Sequence, residues 1–285
     1  MKPRISCEFF PPRTKKGQKT FDEGVQRLLS LRPDFFSVTF GAGGSTQAKT
    51  HDIVLSLNQQ SNVEVAPHLS CITSTRDTLC ELIHDYKDQG INRIVALRGD
   101  IPADMSYDSL PGEFFYARDL IELIRQETGD HFHIEVGAYP EFHPQAESSV
   151  RDLEHFKAKV EMGANSAITQ YFYNADAYFR FLESCQQMGV DIPIMPGVMP
   201  INNYVQLARF SAACGAEIPR WLDQRIKGFG ADNTAIWNYG ADVVTDLCER
   251  LLAGGAPGLH FYTLNQAELT MEIAKRLGLL TAEQA

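Results

Sequence analysis

The segment ISCEFFPPRT, residues 5–14, contains the first predicted strand of the chain and separates two possible α/β folds. Ile5–Phe10 is rich in strand-forming residues, and Pro11 and Pro12 end the run because proline cannot donate a backbone hydrogen bond. In an open dinucleotide-binding sheet, a GxGxxG turn follows the first strand. Here PPRT follows it, which favours the alternative, a closed barrel.

Short apolar runs alternate with longer amphipathic segments along the whole chain. The runs are Ile5–Phe10, Phe35–Phe40, Val63–Leu69, Ile94–Leu97, Ile134–Tyr139, Ala167–Tyr173, Ile192–Val198 and Leu259–Thr263. Predicted helices include Thr75–Gln89, Phe115–Glu127, Val150–Met162, Ala175–Met188, Tyr204–Cys214, Pro219–Ile226, Ala235–Leu252 and Gln266–Gly278. Repeated strand–helix units predict a parallel sheet, and eight units at this length are typical of a (β/α)8 barrel. An open doubly wound sheet usually has fewer strands. We therefore predict an α/β fold, a (β/α)8 TIM barrel forming a single domain over residues 1–285.

Composition and charge disfavour several classes of protein. The 285 residues are 44% hydrophobic and 22% charged, as in ordinary globular proteins. The net charge of −10 disfavours binding to nucleic acid or to anionic membranes. The six cysteines are scattered without a CxxC pair, and neither a signal segment nor an apolar run near ~20 residues is present. These features predict a soluble cytoplasmic protein.

Glu8 is a carboxylate close to the end of the first predicted strand. Side chains alternate between the two faces of a strand, so Ser6, Glu8 and Phe10 share one face. The flanking Phe9 and Phe10 suggest that the carboxyl group is desolvated. A desolvated carboxyl group holds its proton more readily and can act as a general acid near neutral pH. The alternative is a solvated carboxylate at the strand end.

Polar residues follow most of the predicted strands, and in a (β/α)8 barrel these strand ends meet at one mouth where the chemistry occurs. They are Glu8, Thr39 with the segment GAGGST, His68, Arg98-Gly99-Asp100, Tyr139 with His143, Gln170, and Tyr262 with Asn265. Structural alternatives stay open for three of them. Asp100 taken alone is equally suited to a helix cap or a loop charge, and Gln170 to a backbone partner. The pattern around His68 favours a structural histidine. FGAGGST matches no phosphate-loop pattern and is only a weak motif.

The predicted helix Val150–Met162 carries an apolar stripe and a polar stripe. Asp152, His155 and Lys159 form the polar stripe. The pattern alone favours a solvated helix flank; the functional alternative is a rim that grips the polar end of a cofactor. No metal site is predicted, because the HxH segment 131–133 lies at the wrong end of the barrel and HExxH is absent. GxSxG is also absent, which disfavours an elbow-type serine hydrolase.

Eight segments in chain order resemble the 5,10-methylenetetrahydrofolate reductase family, bacterial type. They are CEFFPPRT, SVTFGAGGST, APHLSCI, IVALRGDIP, AYPEFHPQA, KVEMGANSAITQYFY, IMPGVMPI and HFYTLN. The match covers nearly the whole chain. The resemblance implies a single FAD-binding (β/α)8 domain at residues 1–285 without the regulatory domain of eukaryotic relatives. It also implies a homo-oligomer.

The resemblance further implies a ping-pong reaction in which FAD carries hydride from NADH or NADPH to methylenetetrahydrofolate. Glu8 and Asp100 are the implied catalytic residues, with Glu8 as the acid that opens the methylene bridge. The implied FAD contacts are Thr39, His68, Arg98, Gly99, Asp100, Tyr116, Ala117, Tyr139, His143, Asp152, His155, Lys159 and Ile168. The implied substrate contacts are Glu8, Asp100, Gln170, Gln206, Phe210 and Tyr262.

Three positions depart from the family pattern. Ala158 and Gln266 stand where arginine is usual, and His155 stands where asparagine is common. The loss of cations near anionic ligands puts affinity in question rather than reaction class. Two alternatives therefore stay open: a non-redox barrel enzyme that uses Glu8 and Asp100 as acid and base, and a barrel that binds a ligand without turnover.

Overall fold

The computed structural model describes residues 3–40, 44–101, 109–110 and 113–280, and of residues 44–47 the backbone alone. The strands are β1 (Arg4–Phe9), β2 (Phe35–Val38), β3 (Glu64–Ser70), β4 (Arg93–Leu97), β5 (His133–Ala138), β6 (Ser166–Thr169), β7 (Ile194–Met195), β8 (Gly197–Val198) and β9 (Gly258–Tyr262). The helices are α1 (Lys15–Leu28), α2 (Gly44–Gln60), α3 (Arg76–Asp88), α4 (Ala117–Thr128), α5 (Ser149–Glu161), α6 (Ala175–Gln187), α7 (Tyr204–Cys214), α8 (Arg220–Gly228), α9 (Asn233–Ala253) and α10 (Glu268–Arg276).

All of these strands run parallel in one sheet, in the order β7-β6-β5-β4-β3-β2-β1-β9-β8. The two end strands of that order are consecutive in the chain, with Pro196 alone between them. β7 pairs with β6, and β8 pairs with β9. Pro196 cannot donate to the ladder, but its carbonyl accepts from the His260 N–H at 3.0 Å. Residues 194–198 thus form one barrel strand that is interrupted at Pro196. The predicted (β/α)8 barrel is confirmed.

Several predicted boundaries need small corrections. β2 ends at Val38 rather than Phe40, and β6 ends at Thr169 rather than Tyr173. The Tyr171 N–H bonds to the Gln170 side chain at 3.0 Å instead of continuing the strand ladder. Gln170 therefore lies just beyond the strand. The predicted helix Tyr204–Cys214 is confirmed, as α7.

The side chains of β1 alternate between two faces, as predicted. Ile5, Cys7 and Phe9 are buried in the layer between the sheet and its helices. The Phe9 ring packs edge-on against Phe21 of α1, with ring centroids 5.3 Å apart. Glu8 consequently points into the barrel, as the alternation of the strand requires.

An apolar layer fills the middle of the barrel. It consists of Phe35, Ala66, Val95, Ile168 and Met195, one from each of five strands. Inward-facing side chains of this kind fill the interior of (β/α)8 barrels. Ile168 lies in this layer, beneath the mouth, rather than among the residues that line the cavities described below.

An ionic cluster occupies the N-terminal end of the barrel. Arg93 donates to Glu64 at 2.7 Å and to the buried Glu135 at 2.5 Å. His133 bonds to Ser166 at 2.5 Å, and its Nε2 lies 3.4 Å from Glu135. Burial acts to raise the pKa of Glu135, but the His133 hydrogen bond and the Arg93 charge outweigh it and hold that pKa below its ordinary value. The HxH segment thus lies at the end predicted for it.

We expect Glu135→Gln to cost about 3 kcal/mol at pH 7, because it leaves Arg93 without its buried partner. The lowered pKa of Glu135 means that its contribution is present above the unfolded-state pKa and is lost as the pH falls below about 4.5. Urea unfolding at several pH values measures both effects. Glu64→Gln is the matched control, since the Glu64 side chain is 31% exposed against 4% for Glu135. Equal losses in the two variants would contradict the prediction.

Candidate active site

Glu8 lies at the C-terminal mouth of the barrel between two histidines. Its Oε2 is 3.4 Å from His68 Nε2 and 3.7 Å from His260 Nε2. Both imidazoles are buried, whereas the Glu8 side chain is 19% exposed. Burial lowers the pKa of His68, and the nearby Glu8 carboxyl does not restore it. His68 is therefore neutral at pH 7, and the ring edge that faces Glu8 is polar but uncharged.

The expectation that Phe9 and Phe10 desolvate Glu8 needs correction. Phe9 lies on the opposite face of β1, and Phe10 follows the strand with 41% of its surface exposed. The side chains next to the Glu8 carboxyl are instead polar or aromatic. His68 and His260 face it directly, and Tyr262 is close enough for the Glu8 charge to act on its hydroxyl. These neighbours come from strands distant in sequence, so the local flanks of Glu8 could not reveal them.

Glu8 lines a cavity of about 390 Å³. Its other lining residues are Phe9, Phe10, Asp100, Tyr139, His143, Pro144, Gln145, Gln170, Tyr171, Met199, Phe210, Ala213, Cys214, Tyr262 and Leu264. We call this space the carboxyl compartment. It brings together the two implied catalytic carboxyls and three of the implied substrate contacts, Gln170, Phe210 and Tyr262.

Tyr262 connects two strands across this compartment. Its hydroxyl donates to the Thr169 carbonyl at 2.7 Å. Burial, with a smaller contribution from Glu8, raises the pKa of Tyr262 well above its ordinary value, so the hydroxyl remains a donor. Gly197 allows the close approach, since a Cβ there would lie 2.1 Å from the Thr169 carbonyl oxygen.

The segment HFYTLN has a structural role that the sequence did not reveal. The Thr263 hydroxyl donates to the Glu8 carbonyl at 2.6 Å. The Asn265 side chain accepts from the Phe10 N–H at 3.0 Å and donates to the Phe10 carbonyl at 2.8 Å. Asn265 thus acts as a substitute strand partner beyond the end of β1. Asn265 holds the backbone around Glu8 rather than facing a ligand. In the sequence, the only indication of its importance was a polar side chain just after a predicted strand.

The LRGD segment forms a sharp turn after β4. Gly99 has φ of +86°, and a Cβ there would lie 1.8 Å from Ser70 Oγ. Glycine is therefore required by both backbone and space. The turn sends Asp100, which is exposed, to the carboxyl compartment. Arg98 instead reaches Gln145, donating at 2.6 Å.

A second cavity of about 300 Å³ adjoins the first, since Tyr139, His143 and Gln145 line both. Its other lining residues are Ala96, Leu97, Arg98, Tyr116, Ala117, Arg118, Gly137, Ala146, Glu147, Asp152, His155 and Lys159. We call it the cationic compartment. The polar stripe predicted on α5, Asp152, His155 and Lys159, lies in this wall. The structure therefore favours the cavity rim over the solvated flank.

Charged and aromatic groups shape the cationic compartment. Burial lowers the pKa of Lys159 to about 8, although Asp152 opposes this shift. Its ammonium donates to the Gly137 carbonyl. The Tyr116 and His155 rings stack with centroids 5.7 Å apart, and the Arg118 guanidinium lies over the Tyr116 ring at 5.1 Å.

Tyr139 and His143 form the wall between the two compartments. Their rings meet edge-on with centroids 4.6 Å apart. Burial, with Asp100 and Asp152, raises the pKa of Tyr139 to about 12. Burial, and then Arg98, lowers the pKa of His143, whose Nδ1 accepts from the Gln145 N–H at 3.1 Å. Both side chains are thus neutral at pH 7.

Five predicted contacts are not among the lining residues of these compartments: Thr39, His68, Gly99, Ile168 and Gln206. The Thr39 N–H continues the ladder to the Phe9 carbonyl, and the Gln206 N–H bonds to the Asn203 cap of α7. Their assignment stays a prediction. Residues 41–43 of the segment GAGGST lie outside the described residues.

Neither a metal-binding cluster nor a membrane-spanning helix occurs in the described part of the chain. No three histidine, cysteine or acidic side chains in that part of the chain are arranged to hold a metal ion. None of the helices described is long and apolar enough to cross a membrane.

Comparison with known proteins supports a family assignment. The family "Methylenetetrahydrofolate reductase" matches residues 1–278. The chain is 40% identical over 274 residues to the 5,10-methylenetetrahydrofolate reductase of Pectobacterium carotovorum subsp. carotovorum, covering 96% of this chain and 90% of that one. It is 36% identical to "Methylenetetrahydrofolate reductase (NADH) 1" of Arabidopsis thaliana, covering 97% of this chain and 48% of the relative.

A solved structure supports the fold. It is titled "Uncharacterized protein from Clostridium thermocellum binds two copies of 5-methyl-5,6,7,8-tetrahydrofolic acid" and aligns with a TM-score of 0.70 at 18% identity, covering 96% of this chain and 95% of that one. This likeness shows the barrel architecture alone. The family match and the 40% identity carry more weight, because both extend over nearly the whole chain. The chain therefore belongs to the methylenetetrahydrofolate reductase family.

Proposed function

We propose that this protein reduces 5,10-methylenetetrahydrofolate to 5-methyltetrahydrofolate, with FAD as the redox cofactor and NADH or NADPH as the electron donor. The observation that carries this proposal is the pair of adjoining compartments. One holds the carboxyls of Glu8 and Asp100 with the amide of Gln170, and the other holds Arg98 and Lys159. The second would hold the phosphates of an anionic dinucleotide, and the reactive ring of that dinucleotide would then lie beside the first.

The residues of the cationic compartment fit FAD. Lys159 and Arg98 supply positive charge for a diphosphate, and the Asp152 carboxylate can accept from ribose hydroxyls. The stacked Tyr116 and His155 rings offer a face to a purine. The wall at Gly137 is open, because a Cβ there would meet nothing closer than 3.9 Å. When bound, FAD would accept hydride from the nicotinamide and deliver it to the folate.

The chain's own contribution to the folate step is placement and a proton. Protonated Glu8 would donate to a folate nitrogen, which opens the methylene bridge to an electrophilic iminium. Gln170 and Phe210 line the same compartment and would orient the pterin, while Asp100 supplies a negative charge beside it. The Tyr262 hydroxyl is engaged by the Thr169 carbonyl and keeps that wall in place.

We expect Lys159→Met to have opposite effects on stability and on FAD affinity. The lowered pKa means that burial of the ammonium destabilises the folded protein at pH 7. The folded protein gains stability as the pH rises from about 8 to the ordinary lysine pKa of 10.5. Methionine removes that cost, so the apoprotein should gain about 2 kcal/mol at pH 7. FAD affinity should fall about ten-fold, because a charge-assisted contact is lost.

Thermal unfolding of the apoprotein and FAD titration measure the two effects of Lys159→Met. The control is Lys157→Met on the same helix, since Lys157 is 38% exposed and pairs with Glu161. It should change neither quantity. A destabilised Lys159→Met apoprotein with unchanged FAD affinity would show that Lys159 is purely structural.

An anaerobic spectrum of the purified protein tests the proposed function. Flavin absorbance that bleaches with NADH and returns with methylenetetrahydrofolate would support both half-reactions. A flavin that NADPH but not NADH reduces would assign the donor. Absence of flavin even after FAD is supplied would reject the proposal and favour a non-redox enzyme that uses Glu8 and Asp100.

The same family relationship motivates three further parts of this proposal. We propose NADH as the first donor to test, since the name of the Arabidopsis thaliana relative specifies it. We also propose a homo-oligomer located in the cytoplasm. Light scattering after size-exclusion chromatography would measure a mass above the 31.9 kDa of one chain if the oligomer forms.

A further inference from the structure

The two oxygens of the Glu8 carboxyl group have different surroundings. Oε2 is the oxygen that faces His68 Nε2 and His260 Nε2, at 3.4 Å and 3.7 Å. Both nitrogens are buried, and neither forms a hydrogen bond within the described residues. Because Glu8 also lines the carboxyl compartment, Oε1 is the oxygen left to face a ligand there.

The Ser6 hydroxyl is within hydrogen-bond distance of one nitrogen of His260. Its Oγ lies 2.7 Å from His260 Nδ1, and both residues are fully buried. If Nδ1 carried the proton, the Nε2 lone pair would face Glu8 Oε2. It would repel the ionised carboxylate, and it would draw the proton of the protonated acid to Oε2, away from the compartment. If the Ser6 hydroxyl donates to Nδ1, the proton lies on Nε2 and faces Glu8 as a donor. The second arrangement is the one that the chemistry favours.

We propose that Ser6 and His260 are positioning residues for Glu8: Ser6 fixes the His260 tautomer, and the His260 Nε2–H then holds Oε2, so that the acidic proton occupies Oε1 in the compartment. This deepens the proposed function and rests on it. At 3.7 Å, His260 Nε2 and Glu8 Oε2 are not hydrogen-bonded in the free protein. The proposal requires this distance to shorten when substrate binds, as it often does for catalytic hydrogen bonds.

The proposed step transfers one proton. The proton leaves Glu8 Oε1 for the substrate nitrogen, and the carboxylate that remains keeps the His260 donor on Oε2. Ser6 and His260 exchange no proton with the substrate. Other groups also face Glu8: His68 from β3, Tyr262 from β9 and, across the compartment, Asp100. Of these, the pKa of His68 is lowered by burial and that of Tyr262 is raised, so both are neutral at pH 7.

A double-mutant cycle tests the tautomer argument. Ser6→Ala should slow the folate half-reaction about ten-fold, because His260 can then turn its lone pair to Glu8. His260→Gln keeps an N–H donor near the same place, but an amide has no tautomer to fix. Adding Ser6→Ala to His260→Gln should therefore change the rate less than about two-fold. The readout is the single-turnover rate of flavin reoxidation by methylenetetrahydrofolate, beside the rate of flavin reduction by NADH in the same variants.

Ser37→Ala is the matched control for Ser6→Ala. Ser37 is an equally buried serine on β2, it pairs in register with Glu8, and its hydroxyl has no hydrogen-bond partner among the described residues. It should leave both rates unchanged. Ser6→Cys, which retains volume and a weak donor, should fall between wild type and Ser6→Ala, and it serves if Ser6→Ala folds poorly.

Three outcomes would overturn the positioning proposal: no effect of Ser6→Ala, an equal loss in both His260 backgrounds, or an equal loss in both half-reactions. The last two would indicate a general structural role. Failure of the proposed function looks different, because the wild-type protein would then fail to reduce the folate at all.

Discussion

Glu8→Gln is expected to slow the folate half-reaction by about 10²–10⁴-fold while NADH still reduces the flavin at nearly the wild-type rate. The range is that of a general acid removed from a reaction that needs one. Glutamine has the same shape and remains able to hydrogen-bond to His68 or His260, but it has no proton to give. Hydride transfer from the nicotinamide needs no acid, so the two half-reactions should separate.

Stopped-flow measurement of each half-reaction provides the test of Glu8. Flavin content and melting temperature should match those of the wild type, since the Glu8 carboxyl forms no hydrogen bond in the described structure and only faces the two histidines. If both half-reactions fall together, Glu8 places the cofactor rather than the proton. If neither falls, another group supplies the proton, and Asp100, which lines the same compartment, is the next to replace.

Gly137→Val is expected to weaken FAD binding by up to about 100-fold without unfolding the apoprotein. A Cβ at Gly137 would meet Leu97 and Tyr139 at 3.9 Å, which is ordinary van der Waals contact, and valine suits a position inside β5. The methyl groups would extend into the cationic compartment that Gly137 lines. Overpacking of a fitted site costs about 3 kcal/mol at the upper end, which corresponds to two orders of magnitude in affinity.

A graded series makes the Gly137 test specific. Gly137→Ala should weaken FAD binding less than Gly137→Val, because it occupies less of the compartment. Gly228→Ala is the control, since a Cβ at Gly228 meets nothing within 4 Å. Fluorescence titration of the apoprotein with FAD measures the affinity, and thermal unfolding confirms that the barrel is intact. Normal FAD affinity in Gly137→Val would mean that the cofactor does not occupy this compartment.

The repeating pattern of the chain predicted the barrel and most of its mouth. Eight apolar runs of strand length with helices between them allow few other topologies, because parallel strands need crossover connections of that size. The strand-end rule then grouped Glu8, Asp100, Gln170 and Tyr262, which line one compartment. On α5, the spacing of Asp152, His155 and Lys159 predicted a shared stripe, although the pattern alone favoured a solvated one.

The sequence pattern could not predict which distant segments pair with each other. The polar surroundings of Glu8 come from β3 and β9, and Asn265 reaches Phe10 across 255 positions of sequence. The seventh barrel strand is interrupted at Pro196 because its two parts, β7 and β8, pair with different neighbours, β6 and β9. Each of these features is a contact between residues whose separation along the chain carries no periodic signal.

The sequence by itself determined the fold class, the family and the chemical types of the residues at the mouth, because periodicity and motif order are properties of the chain alone. The tertiary structure alone decided which partners those residues have. Whether Lys159 faces a cavity or solvent, and whether Glu8 lies between phenylalanines or histidines, depends on which strands and helices lie side by side. Burial and the neighbouring polar groups both arise from that packing.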